Sequence, residues 1–347
     1  MTDPTTSNRT ILVTGATGRQ GKAVVEELVA SNLEGRSHPF KILALTRNNK
    51  QPLARKLAKD YPDHVIVVEG DLDDVESIRR VFETEKEKGK GAEGSGIWGV
   101  FCVLAFPGLG VKADTEEKQG KCLADISLEF GVSHFIYSSA EGASDEPGQG
   151  KSTMDDSIAK TRIERHVKEL GDKGLSWTIL HPGIFMENYE GFMGSISFGV
   201  FKAGLQPTTQ LFMTAVQDIG RVAAGVFKHP SLFTSQTLLV AGEACTIPQQ
   251  ETAYLEATGQ IIPSIPSFLA RTILMINGQV RDLVNDMERI SASRKLVGSE
   301  SAHDDATRRA NPDMMSFGDW CRAARARRTP ERNPNWNGVS LRRLVLG

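Results

Sequence analysis

The strongest chemical signal in the chain is the run Val13-Thr14-Gly15-Ala16-Thr17-Gly18-Arg19-Gln20-Gly21, with three glycines at GxxGxxG spacing. It follows a short apolar, β-branched run, Ile11-Leu12-Val13, and precedes Ala23, Val24, Leu28 and Val29 at helical spacing. In a strand–turn–helix setting the three glycines have separate duties. Gly15 permits the tight turn, Gly18 lets the backbone approach a pyrophosphate, and Gly21 lets the helix pack closely on the strand. The amide N–H groups of this turn and the positive end of the helix would then grip the phosphates of a dinucleotide.

A second group decides which dinucleotide. The segment Leu45-Thr46-Arg47-Asn48-Asn49-Lys50, at the end of the second strand-like run, lacks the carboxylate that would hold ribose hydroxyls and repel a 2′-phosphate. Arg47 is a guanidinium in that place, able to take a 2′-phosphate through paired hydrogen bonds, and Arg19 is a second partner. This points to NADP(H); the bland reading of Arg47 is a solvated strand-end side chain. Asp71 and Leu72 follow the third strand, where adenine would lie. Asp71 is as well suited to capping the next helix. Leu104, Ala105 and Phe106 end the fourth strand beside the expected ribose, and Ser138 and Ser139 end the fifth. His181 ends the sixth, where it would position a substrate, exchange a proton near neutral pH, or pack as a hydrogen-bonded core residue. The two serines are equally placed to bond a substrate oxygen or to satisfy their own strand end.

These residues need a parallel sheet to bring them together. Apolar runs at Lys41 to Leu45, Val65 to Val68, Val100 to Leu104, His134 to Tyr137 and Ser176 to Leu180 alternate with helix-like segments. The segments at Pro52 to Lys59, Val75 to Lys88, Thr115 to Phe130 and Met154 to Leu170 are long enough for parallel crossovers. The expected fold is α/β, a Rossmann-type doubly wound parallel sheet with a smaller mixed α/β C-terminal lobe. Residues 1–182 form the dinucleotide domain and residues 183–347 the lobe and tail, with later segments returning to the first domain. After Gly183 the pattern loosens in GFMGSISFGVFKAG, and helix-like stretches follow at Ala215 to Phe227 and Ser267 to Val284. Glu85 to Gly96 reads as a solvated loop, and Arg322, Arg325, Arg327, Arg328 and Arg332 as a solvated helix end, with a nuclear import signal or a phosphate-binding patch as the alternative.

Composition excludes other classes. Of 347 residues, 39% are hydrophobic and 24% charged, the balance of a globular protein. A formal net charge of −2 gives no overall pull toward nucleic acid or an anionic membrane, so any such binding must be local. Neither partner is expected. Cys102, Cys122, Cys245 and Cys321 form no CxxC pair and have no His at ligand spacing, so neither a metal site nor a disulfide framework is expected. With no basic, apolar leader at the N-terminus, the expected location is the cytoplasm, with the nucleus as a second compartment.

The motifs TGATGRQG (Thr14 to Gly21), LTRN (Leu45 to Asn48), EGDLDD (Glu69 to Asp74), HFIYSS (His134 to Ser139) and TILHPGIFMENY (Thr178 to Tyr189) together resemble the NmrA-like family of the atypical short-chain dehydrogenase/reductase superfamily. AVQDIGRVAAGVF, from Ala215 to Phe227, looks like that family's next segment. The resemblance implies an NADP-binding domain with a small lobe, in proteins that either reduce small molecules or sense redox state and contact a partner protein. It also places Phe185 and Asn188 at the border of the nicotinamide pocket. In catalytic members of the superfamily a YxxxK pair follows the fifth strand. Lys160 matches the lysine, but the tyrosine position holds Asp156, which removes the phenolic proton donor. A related branch uses the lysine alone as general acid or base, so Lys160 is the catalytic candidate together with Ser138, Ser139 and His181. Lys160 would also orient the nicotinamide ribose, unless it belongs to an exposed charged helix face. The expected function is an NADPH-dependent oxidoreductase of a small carbonyl or enone. The alternative is a non-catalytic NADP(H) sensor that binds a regulatory partner protein.

Overall fold

The computed structural model describes residues 9–33, 40–88, 96–105, 113–143, 155–297 and 300–326. Phe106 and the arginines Arg327, Arg328 and Arg332 lie outside them. The first half alternates strictly: β1 (Thr10–Val13), α1 (Arg19–Leu33), β2 (Lys41–Thr46), α2 (Pro52–Asp60), β3 (Val65–Glu69), α3 (Val75–Lys88), β4 (Gly99–Cys102), α4 (Asp114–Glu129), β5 (His134–Ser138), α5 (Asp155–Gly171) and β6 (Trp177–Pro182). The chain then adds β7 (Ile184–Phe185), α6 (Gly191–Gly204), β8 (Leu211–Thr214), α7 (Val216–Lys228), β9 (Gln236–Val240) and β10 (Glu243–Cys245). It ends in helices α8 (Ile247–Thr258), α9 (Ser267–Ile276), α10 (Gly278–Val297), α11 (Glu300–Ala310) and α12 (Phe317–Ala326).

Seven parallel strands make the main sheet in the order β3-β2-β1-β4-β5-β6-β9. The reversal of direction at β1 and β4 opens a crevice at their carboxyl ends, the usual seat of a ligand in such sheets. Strand side chains alternate between two covered faces. Ile11 and Val13 face α1 and α7 through Val24, Leu28, Ile219 and Phe227. Leu12 faces the other layer with Ile78, Phe82, Leu123 and Ile163. Burial on both faces is why these strands read as continuous apolar runs. After Gly183 the chain divides. Segments α7 and β9 pack into the main domain, while β7, β8 and β10 form a small mixed sheet beneath α6, α8, α9 and α10.

Four local expectations shift. Strand β4 stops at Cys102 instead of Leu104, because Thr14 Oγ1 accepts from the Val103 amide (2.8 Å) and donates to its carbonyl (2.7 Å), taking the place of ladder bonds. The span Ser267 to Val284 is two helices, with Asn277 Oδ1 accepting from the Val280 amide (3.1 Å) to start α10 afresh. The glycine-spaced segment at Gly191–Gly204 is a regular helix. Its Gly199 lets the loop before α9 approach so closely that a Cβ there would meet Ile265 Cγ1 at 2.6 Å. Glu85, read as loop, lies in the last turn of α3 and is buried, with Lys41 donating to it at 2.6 Å. Among the described residues, no helix is long and apolar enough to cross a membrane.

Candidate functional site

The glycine turn is built as its spacing requires. Gly15 has φ of 56°, in the left-handed region that suits glycine, and its carbonyl accepts from the Gly18 amide at 2.8 Å. A Cβ on Gly21 would stand 2.3 Å from Gly15 O and 2.7 Å from Thr14 O, so only glycine lets α1 start against the end of β1. The first turn of α1 carries no acidic residue, which leaves its positive end available to an anion. Ala16 is fully buried beneath the turn, while Gly15, Thr17, Gly18, Arg19, Gln20 and Gly21 line a cleft of about 810 Å³.

Along that cleft the structure brings together nearly all the residues named from sequence for the cofactor. Arg47 is exposed at one rim with Thr46 and Gln51, and Arg19 lies further in, 3.4 Å from Glu190. Asp71 and Leu72 form the facing wall. Capping of α3 falls to Asp74, whose Oδ1 accepts from the Glu76 (3.1 Å) and Ser77 (3.2 Å) amides, so Asp71 is left on the cleft wall holding its own turn through the Asp73 amide (3.1 Å). Leu104 and Ala105 continue the wall, and Phe185 and Asn188 close the far side. Gly183 turns the chain there from β6 into β7. A Cβ on it would sit 2.2 Å from Phe212 O. The glycine turn, which has no room for a Cβ at Gly15 or Gly21, leaves its backbone bare on the cleft and fits a dinucleotide diphosphate.

The four catalytic candidates stand behind the wall and not on it. Ser138 Oγ donates to Gln20 Oε1 at 2.7 Å. Ser139 Oγ (2.5 Å) and His181 Nε2 (2.8 Å) both donate to Oε1 of Glu164, a carboxylate 2% exposed on α5. Lys160 forms an ion pair with Glu116 of α4; the two side chains are 13% and 3% exposed. The structure thus unites Ser139 with His181 and holds Lys160 on a separate partner. Tyr137 is wholly buried between the sheet and α5.

Sequence reasoning missed Glu116, Glu164, Gln119 and Glu141. The first two sit among charged neighbours that read as solvated helix faces, and no spacing signal marks them. Gln119 lines the cleft and donates to Asp73 Oδ1 at 2.7 Å. Glu141 also lines the cleft, pinned by its amide to Pro182 O (2.9 Å) and 2.9 Å from Arg294 Nε of α10. Burial pushes its carboxyl above the ordinary range, with Arg294 and His181 pulling it back.

Two buried groups, Glu187 beside the cleft and His134 at the amino-terminal end of β5, set opposing pH dependences. Glu187 accepts from the Val216 amide (3.1 and 3.2 Å) at the start of α7 and from Trp320 Nε1 (3.2 Å), and burial raises it from 4.5 to about 6. Between those values the folded protein holds more protons than the unfolded chain, so stability falls by up to about 2 kcal/mol as pH rises through the window. His134, between the Ser176 and Thr178 hydroxyls at 2.9 Å each, is lowered by burial from 6.5 to about 4. Here the unfolded chain holds the extra proton, so up to about 3 kcal/mol is lost as pH falls from 6.5 to 4. Urea denaturation across this range should show Glu187→Gln losing stability more steeply on acidification than the parent. His134→Asn should flatten the loss. Unchanged profiles in both variants would remove these groups as the titrating pair.

The family comparison agrees with this geometry. A model of the NmrA-like family matches residues 7–290. An NmrA-like family domain-containing oxidoreductase of Aspergillus is 24% identical over 281 residues, covering 75% of this chain and 76% of its own. Among solved structures, Nmra, a negative transcriptional regulator in complex with NAD, superposes with a TM-score of 0.62 at 20% identity, covering 91% of this chain and 94% of its own. The NADPH-dependent quinone oxidoreductase of Escherichia coli, complexed with NADPH, gives a TM-score of 0.61 at 18% identity, covering 90% and 98%. At these identities the structures speak for the fold.

Proposed function

Since the chain belongs to the NmrA-like family, we propose that it binds NADP(H) in the glycine-turn cleft and works as an NADPH-dependent oxidoreductase on a small apolar carbonyl or enone. One observation carries the enzymatic half of this reading. The cleft does not end at the far side of the dinucleotide seat but continues into the lobe, where Phe201, Leu211, Leu283, Met287 and Ile290 line it. A chamber of apolar side chains with Gln210, Asp286 and Ser291 as polar members, joined to a dinucleotide site, suits a substrate held against the cofactor. Bound NADPH would supply the hydride. The chain's own part is to hold the diphosphate on the amides of the glycine turn, to seat the 2′-phosphate by Arg47, and to exclude water with the chamber wall. Of the carboxyls on that wall, Glu141 is raised by burial and stands 2.9 Å from Arg294 Nε, which makes it the candidate to exchange a proton with the substrate oxygen.

The regulator reading has its own support. Ser139, His181 and Lys160 are all engaged with buried carboxylates away from the cleft wall, and a solved neighbour is a transcriptional regulator. Stopped-flow absorbance of bound NADPH across carbonyls and enones decides between them. Oxidation with an apolar member supports the reductase. No oxidation by any member, with a partner protein captured in only one redox state, establishes the sensor.

Cofactor choice is tested separately by calorimetry. The parent should prefer NADP to NAD, and Arg47→Ala should weaken NADP by roughly 10- to 100-fold while sparing NAD, the usual worth of hydrogen bonds to a charged group. A parent that prefers NAD would refute the assignment.

A further inference from the structure

Helix α9 buries only Ala270 among its ten residues. It exposes Phe268 (68%), Leu269 (43%), Met275 (71%) and Ile276 (57%), and Ile261 (80%) is exposed on the segment that precedes it. Scattered surface apolar residues are ordinary, but large ones crowded on one short helix mark a contact surface. Its charge is equally uneven. No Asp or Glu occurs between Glu256 and Asp282, a stretch that contains Arg271 and Arg281. Both arginines are exposed. Arg271 lies three residues after Phe268 and four before Met275, so it stands on the helix surface between them. Arg281 Nη1 lies 3.5 Å from the carbonyls of Leu274 and Met275, which puts its charge at the C-terminal end of α9.

We propose that α9 docks the protein on the anionic face of a lipid bilayer. Phe268, Leu269, Met275 and Ile276 enter the headgroup boundary while Arg271 and Arg281 meet the lipid phosphates and carboxylates. An exposed helix face suits a deformable bilayer and needs no preformed groove. A second copy of the chain fits less well, because the same face meeting itself would set these arginines against their counterparts with no carboxylate in the segment to answer them. The overall charge of −2 supplies no attraction, so the pull is local to this patch. The inference does not depend on the reductase reading.

The test is sedimentation of the full chain with two vesicle types, phosphatidylcholine alone and an equimolar mixture with phosphatidylserine. Binding is expected to the mixed vesicles and to be weaker by at least about tenfold on the neutral ones. Phe268→Ser with Met275→Ser should lower it by a similar factor, and Arg271→Gln with Arg281→Gln by about fivefold for each arginine. Thermal melts should match the parent, since all four side chains are exposed. Absence of binding to mixed vesicles, or equal binding to both kinds, overturns the proposal. A dimer in sedimentation velocity that the Phe268/Met275 variant dissolves assigns the face to self-association instead.

Discussion

Gly21→Ala is expected to lose nicotinamide dinucleotide binding by about 100-fold or more, close to 3 kcal/mol, and to lower folding stability by about 1–3 kcal/mol. The added Cβ would stand 2.3 Å from Gly15 O and 2.7 Å from Thr14 O. Both are backbone atoms of the turn itself, so no side chain can rotate away. Relief requires lifting α1 from β1, which moves the amides that grip the diphosphate. Gly18→Ala is the matched comparison, since its Cβ would meet Gly15 O at 3.2 Å and asks for only a small adjustment. Calorimetric titration and thermal melts of the two variants separate packing from ligand approach. A Gly21→Ala protein that binds as tightly as the parent would move the phosphate seat away from this turn.

Lys160→Met is expected to cost about 3–5 kcal/mol of stability, the range for breaking a buried ion pair from one side. It strips the cation from Glu116, a carboxylate only 3% exposed. Pairing it with Glu116→Gln should return most of the loss, because the buried charge then disappears along with its partner. Chemical denaturation measures both. The same pair of variants tests the sequence expectation that Lys160 handles protons. Turnover that follows stability, and recovers in the double variant, makes Lys160 a structural strut. Turnover that stays lost when stability is regained returns Lys160 to the reaction.

Much of the fold could be read from the chain because strands buried on both faces must be apolar throughout. Ile11-Leu12-Val13 feeds Ile11 and Val13 to one layer and Leu12 to the other, so no polar residue interrupts the run. The glycine turn was legible for a related reason. Its backbone cannot form with a Cβ at Gly15 or Gly21, and steric exclusion leaves a mark in sequence. Burial of charge leaves none. Glu116 and Glu164 sit in DTEEKQGK and IAKTRIERHV, where acids and bases alternate as they do on a solvated helix. What turns those two inward is the packing of α4 on α5 and the sheet, a long-range event that local spacing does not record. The break at Asn277 was missed for the opposite reason. Apolar side chains continue at helical spacing on both sides, and the two helices are separated by the extended backbone at Asn277 and its side-chain bond to the Val280 amide.

Ser139, just past the end of β5, and His181 of the neighbouring β6 rest on a single oxygen, Oε1 of Glu164. Thermodynamically the trio is one unit. Substituting either donor changes how tightly the other is held, and substituting the acceptor releases both. A scan that alters one position at a time would therefore score all three as indispensable without revealing which of them touches a reactant. Only a full double-mutant cycle, with Glu164→Gln as one axis, separates the scaffold from the chemistry. Across homologous chains these three positions should change together or not at all.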